Sequence, residues 1–162
     1  MHERVEWSEI AIEGEDPMPD AVESTNSEGA ITPATTEPDL LAVDDDPIQR
    51  DLYGIYLAAA GFRVVTAETA EAALLELDRA DFVGAVVDYD MPGMDGVELI
   101  HRLRADPRFA DRPVLVVTGR EDLVSVQRVM QAGASGMVVK PVDWRALATR
   151  VRILMGAAAA ER

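Results

Sequence analysis

Five short apolar runs, separated by longer stretches with helical spacing, constrain this chain more than any other feature. The runs are LLAV (40–43), RVVTA (63–67), VGAVVD (83–88), PVLVVT (113–118) and GMVVKP (136–141). Each is brief and β-branched or apolar, as in strands buried on both faces. Between them the apolar residues fall at helical intervals: Leu52, Tyr56 and Ala59; Ala70, Leu74 and Leu77; Val126, Met130 and Gly133; Leu147, Val151 and Leu154. The last of these stretches, DWRALATRVRILM, opens with an Asp suited to a helix N-cap. A strand–helix alternation repeated five times predicts a parallel sheet with helices on both faces and right-handed crossovers. Ligands of such open sheets sit beyond the carboxyl ends of the strands. The polar residues at those ends are therefore the candidates for function.

Those ends are chemically distinctive. The first strand runs into Asp44, Asp45 and Asp46; the third ends in Asp88, with Asp90 two residues on; the fourth ends in Thr118 beside Gly119; the fifth ends in Lys140 and Pro141. Three consecutive carboxylates after a buried strand repel one another, and each is costly to desolvate. A hard divalent ion relieves that repulsion, and Mg²⁺ characteristically uses one or two carboxylates, water and a phosphate oxygen. Lys140 is the only lysine in the chain, the other 14 basic residues being arginine. A compact ammonium is not interchangeable with a planar guanidinium at a tight oxyanion site.

Composition narrows the classes. Residues 1–39 carry 11 acidic residues and one arginine, net −10, and the remainder of the chain is net −5. Neither part offers the basic stripe that duplex binding needs, which argues against direct nucleic-acid binding. The absence of cysteine excludes a disulfide framework, a thiolate nucleophile and a Cys-based metal site. No apolar run reaches the length of a membrane helix, and the acidic start MHERVEWSEI lacks a signal-peptide core. A soluble cytoplasmic protein with no membrane partner is expected. Residues 1–38 are rich in Glu, Ser, Thr and Pro and are expected to be disordered. Their apolar patch, Val5, Trp7, Ile10 and Ile12, is either a short docking segment or a few stray residues, the second being the plainer reading. The closing GAAAAER is expected to fray.

Two Asp-X-Asp chemistries fail at residues 88–90. An EF-hand loop wants Asp or Asn where Pro92 stands and Glu where Leu99 stands, and a haloacid-dehalogenase-type phosphatase wants Gly-Thr where Met91-Pro92 follows. His2 and His101 lack the setting of a phosphodonor histidine. Asp46 with Pro47 suits a helix start, Asp95 and Gly96 a turn into the third helix, and Trp144 packing. Arg120 reads by default as an exposed loop arginine, with control of water access to the site as the sharper alternative.

Residues 40–156 closely resemble the receiver domain of bacterial two-component response regulators, through LLAVDDDP, VVDYDMPGMDGVEL, PVLVVTG and AGASGMVVKPV in order and at matching spacing. The resemblance implies a flavodoxin-like (βα)5 three-layer sandwich with strand order 2-1-3-4-5. It divides the chain into an acidic extension (1–38), a receiver domain (39–157) and a C-terminal end (158–162). It makes Asp88 the phosphoacceptor, attacking a phosphohistidine on a sensor histidine kinase or a histidine phosphotransfer protein. Mg²⁺ would be held directly by Asp45, mainly through water by Asp44, by Asp88, and by the backbone carbonyl of Asp90. Thr118 and Lys140 would contact the transferred phosphoryl group, and Lys140–Pro141 would be cis. The implied protein is a single-domain signalling switch that promotes only its own phosphorylation and slow dephosphorylation. It would act on an unidentified protein target as a monomer or a weak dimer through the fourth helix, fifth strand and fifth helix. One departure stands out: Met137 occupies the place of the family's usual aromatic switch residue, and Met lacks both ring and hydroxyl. A phosphorylation-independent receiver-like adaptor is the alternative that Met137 favours. A small flavodoxin-like enzyme is the weaker one, lacking a Gly-rich phosphate loop.

Overall fold

The computed structural model describes residues 36–160. The expectations for the acidic extension, up to residue 35, and for the last two residues lie outside them. Along the chain come β1 (Asp39–Val43), α1 (Pro47–Ala59), β2 (Arg63–Ala67), α2 (Ala70–Glu76), β3 (Phe82–Asp88), α3 (Gly96–Ala105), β4 (Val114–Thr118), α4 (Leu123–Ala132), β5 (Gly136–Val139) and α5 (Trp144–Ala160). The strands form one parallel sheet in the order β2-β1-β3-β4-β5. This is the flavodoxin-like sandwich that the alternation and the resemblance led one to expect.

Side chains alternate across each strand, so the sheet divides the core in two. On one side Leu40, Ala42, Val86, Leu115 and Val117 pack against Tyr53 and Leu57 of α1 and Leu147, Val151 and Met155 of α5. On the other, Leu41, Val43, Ala85, Val87 and Val116 meet α2, α3 and α4 through residues such as Ala73, Leu99, Leu103 and Val129. Each fully buried aliphatic side chain contributes roughly 1.5–3 kcal/mol, and this burial holds the strand ends in register. Side chains cap all five helices: Asp46, Thr69, Asp95 and Asp122 accept from first-turn N–H groups of α1 to α4, and Asp143 accepts from Arg145 and Ala146 at the start of α5. Asp46 with Pro47, and Asp95 with Gly96, thus open helices as read from the sequence.

Two helices differ from the sequence reading in rotation. In α1 the buried residues are Tyr53 and Leu57, while Ala59 is exposed. Apolar side chains surround this helix, with Ile48 and Ile55 also exposed, so periodicity alone left its phase undetermined. Aromatic packing decides it: Trp144 meets Tyr53 edge-on at 5.1 Å between centroids and stacks on Tyr56 at 5.9 Å. In α4 the buried residues are Ser125, Val129 and Ala132 rather than Val126 and Met130; Met130 is half exposed, and Gly133 forms the left-handed C-cap at φ 104°. Small side chains at 125 and 132 let α4 approach the sheet, which a search for large apolar residues overlooks. At the far end, α5 runs on to Ala160, through alanines expected to fray; alanine has the highest helix propensity.

Candidate functional site

The carboxyl ends of β1, β3, β4 and β5 bring five of the expected residues together. β1 delivers Asp44, fully buried, and then Asp45, exposed. β3 ends in Asp88, only 2% exposed, and β4 in Thr118, fully buried. Carboxylate oxygens of Asp44, Asp45 and Asp88 lie within 4.8 Å of one another. Lys140, one residue past β5, places its Nζ 3.2 Å from Asp88 Oδ1. The Lys140 N–H donates to the Thr118 carbonyl at 2.7 Å, and the Lys140–Pro141 bond is cis. Asp90 stands apart: its carboxylate is exposed and engaged by Arg120, whose Nη2 lies 2.8 Å away.

Local sequence explains this convergence. Apolar strand interiors draw Leu40–Val43 and Ala85–Val87 under cover, which carries the next residue, an Asp in both strands, to the margin of the core. The Asp44 carboxylate is pinned there because its Oδ1 accepts from the Asp46 N–H at 2.9 Å. The Arg50 guanidinium donates to the Asp44 carbonyl at 2.9 Å. Gly96, the first residue of α3, has a role that sequence reading missed. A Cβ there would lie 2.5 Å from the Asp88 carbonyl oxygen, so only glycine lets α3 close against the backbone of Asp88.

The electrostatics are those of an acidic site short of positive charge. Burial, reinforced by Asp44, raises the Asp88 carboxyl to about 6, although Lys140 pulls the other way. Burial likewise raises Asp44 above the ordinary carboxylate range. Burial lowers Lys140, but the carboxylates of Asp88, Asp44 and Asp45 outweigh it and leave the ammonium more strongly protonated than usual. The fit to a hard cation rests on one atom. Asp44 Oδ2 is buried with no hydrogen-bond partner among the described residues, a costly arrangement unless another group satisfies it. All donors are oxygen, Asp45 opens the cluster to solvent, and the neighbouring ammonium is a single charge, so the set suits Mg²⁺.

The response regulator receiver domain model matches residues 40–152. The chain belongs to this family. Among curated relatives, the chemotaxis protein CheY1 of Helicobacter pylori J99 is 31% identical over 119 residues, covering 72% of this chain and 96% of that protein. The transcriptional regulatory protein AfsQ1 of Streptomyces coelicolor is 36% identical over 120 residues, 73% of this chain and 51% of the relative. This receiver domain spans only 29% of a cyclic di-GMP phosphodiesterase of Thermotoga maritima and about half of the transcriptional relatives. Among solved structures, chemotaxis protein CheY4 of Vibrio cholerae superposes with a TM-score of 0.69 at 29% identity, covering 72% of this chain and 98% of its own. A CheY-like receiver from Methanospirillum hungatei reaches 0.72 at 27% identity, covering 77% and 98%. Receiver domains are signalling modules of two-component systems, and this one carries the oxygen cluster at the carboxyl ends of its own strands. No described helix is long and apolar enough to cross a membrane.

Around the receiver's cluster sits a second set of contacts that the sequence did not disclose. Arg120 is exposed, as its default reading held, yet it is not idle. Its side chain spans Asp90 and the Tyr89 ring, with the guanidinium carbon 5.3 Å from the ring centroid. Its N–H donates to Thr118 Oγ1 at 3.0 Å. Some 30 residues separate Arg120 from Asp90, and no local pattern marks such a pairing.

Proposed function

We propose that this receiver domain accepts a phosphoryl group on Asp88 from a phosphohistidine of a histidine kinase or histidine phosphotransfer protein, and that the modified domain acts through protein–protein contacts. The observation that carries the proposal is the buried Asp88 carboxylate, with the Lys140 ammonium at 3.2 Å and two further carboxylates within 4.8 Å. One Asp88 oxygen attacks phosphorus as the phosphorus–nitrogen bond breaks; the imidazole leaves with the bonding pair and takes up a proton. Such a transfer needs little covalent help beyond positioning and neutralisation of the equatorial oxygens. Lys140 supplies a positive charge to one oxygen, and the Thr118 hydroxyl donates to another. The Thr118 Oγ1 already accepts from the Arg120 N–H, which leaves its proton free for the phosphoryl group. Asp44, Asp45 and Asp88, with the Asp90 carbonyl, are the groups proposed to hold Mg²⁺, which when bound supplies the remaining charge neutralisation.

Intact mass after incubation with acetyl phosphate tests this directly. Wild type should gain one labile phosphoryl group in the presence of Mg²⁺, and none without it. Asp88→Asn should gain none under either condition. If wild type binds Mg²⁺ but gains no group from acetyl phosphate or from any of a panel of kinases, phosphotransfer to Asp88 is wrong and a phosphorylation-independent adaptor takes its place.

A further inference from the structure

The receiver's site is tied to α4 by a chain of side chains that does not pass through residue 137. Tyr89 directly follows Asp88, and its N–H donates to the Val117 carbonyl at 2.9 Å. The ring is almost wholly buried, 4% exposed, in the core beneath α3 and α4. Arg120 covers it from the solvent side and holds Asp90 with the same guanidinium. On the other side the Tyr89 hydroxyl accepts from Arg128 Nη1 of α4 at 3.3 Å. One ring thus bears on a cation at the site's rim and on a cation of α4. Met137, half-buried against the same core, offers no hydrogen bond with its side chain.

We propose that Tyr89, Arg120 and Arg128 form the relay by which occupancy of Asp88 reaches α4 in this protein. The inference rests on the phosphoacceptor reading above. At rest, one carboxylate, Asp90, holds the Arg120 guanidinium. A phosphoryl group on Asp88 brings more charge and three strong acceptor oxygens to the same rim. It competes with Asp90 for the guanidinium, and a Cβ at Gly119 would meet nothing within 4 Å, so there is room beside Thr118. The Arg120 N–H is already bonded to Thr118, so a shift of Thr118 toward the phosphoryl group draws Arg120 the same way. Losing its cation, the Tyr89 face changes its interaction with the ring's surroundings. Its hydroxyl passes the change to Arg128, on a helix whose buried residues are Ser125, Val129 and Ala132. Arg120 is here a positioning residue, and Tyr89 the link.

The test uses the full chain saturated with beryllofluoride and Mg²⁺. Fluorine NMR reports binding at Asp88, and amide shifts of Leu123–Ala132 report the response of α4. Wild type should show bound fluoride and a clear α4 response. Tyr89→Phe, which keeps the ring and removes the acceptor, and Arg128→Met should bind as well as wild type, with the α4 response at least threefold smaller. Met137→Ala should respond like wild type. Bound fluoride with an undiminished α4 response in Tyr89→Phe overturns the relay and leaves the Asp88 reading intact. Absence of a bound-fluoride signal in wild type overturns both, through a different observable.

Discussion

The two edges of the sheet treat charge in opposite ways. At the amino edge, ahead of β1 to β4, no side chain among the described residues keeps a buried polar atom without a partner. Arg104, half-buried, donates to the carbonyls of Gly133, Phe109, Ala110 and Arg112. Arg108 binds Asp106 and Asp78 at 2.7 and 3.0 Å, Arg112 lies 3.4 Å from Asp81, and Arg63 pairs with Asp39. At the carboxyl edge, Asp44 keeps an orphaned buried oxygen, and two acids are pushed up rather than down. A cleft of about 970 Å³ opens at the amino edge, lined by Arg79, Arg108 and Arg112 together with Asp78, Asp81 and Asp111. Concavity alone would direct attention there. The proposed chemistry lies at the other edge, where buried groups are left unsatisfied, as expected of a site proposed to receive a cation and a phosphoryl group.

The largest effect that sharpens this contrast is expected at Arg104. Arg104→Ala leaves four carbonyls without their charged donor and frees the C-cap of α4, where Gly133 accepts two of the bonds. Hydrogen bonds to charged groups contribute about 1.5–3 kcal/mol each and are not additive, so the loss should be on the order of 4 kcal/mol. Urea denaturation measures it. Phosphorylation of the fraction still folded should proceed at the wild-type rate, since Arg104 belongs to the opposite edge. A large loss of rate in folded protein would show that the two edges are not separable.

Next in size is the pH dependence of the carboxyl edge. The Asp88 carboxyl stands at about 6 in the fold against 3.8 in the unfolded chain. A group raised in this way favours the fold fully below pH 3.8, and its contribution is lost as pH rises through about 6. Over that window the difference amounts to about 3 kcal/mol, shared with Asp44 because the two acids titrate as a pair. In metal-free protein, raising the pH from 4 to 7 should cost wild type more stability than Asp88→Asn, by about that amount. Mg²⁺ should restore most of it at pH 7 and almost none at pH 4. Equal slopes in the two proteins would mean that the carboxyl edge is as well satisfied as the other.

How much of this was legible beforehand follows the same division. Strand runs, helix caps at Asp46, Asp95 and Asp143, and the polar residues at the strand ends could all be read, because each signal is local: a short apolar run, a cap, a chain position. Asp44, Asp45, Asp88, Thr118 and Lys140 do converge, since the parallel topology carries every strand's end to one side. The rotations of α1 and α4 were not legible, because apolar side chains surround the first and small buried ones anchor the second. The Arg120–Asp90–Tyr89 contacts were not legible either, for they join loops about 30 residues apart. Gly96 announced a turn, while its closer reason, room for the Asp88 carbonyl, needed the packing of α3 on β3.

The smallest expected effect guards against over-reading the well-satisfied edge. Its charge pairs are numerous, but most are exposed: the Asp81 side chain that faces Arg112 is 81% exposed. An ion pair of this kind gains little Coulomb energy in water and gives part of it back in side-chain entropy. Asp81→Ala should therefore change stability by no more than about 0.5 kcal/mol, and that little should vanish in high salt. Arg112 would keep its carbonyl bond from Arg104, so the loop ahead of β4 stays anchored. A salt-sensitive loss several times larger, measured by urea denaturation at two ionic strengths, would mean that surface pairs rather than the Arg104 carbonyl network secure this edge. The contrast between the edges would then be one of net charge instead of hydrogen-bond satisfaction.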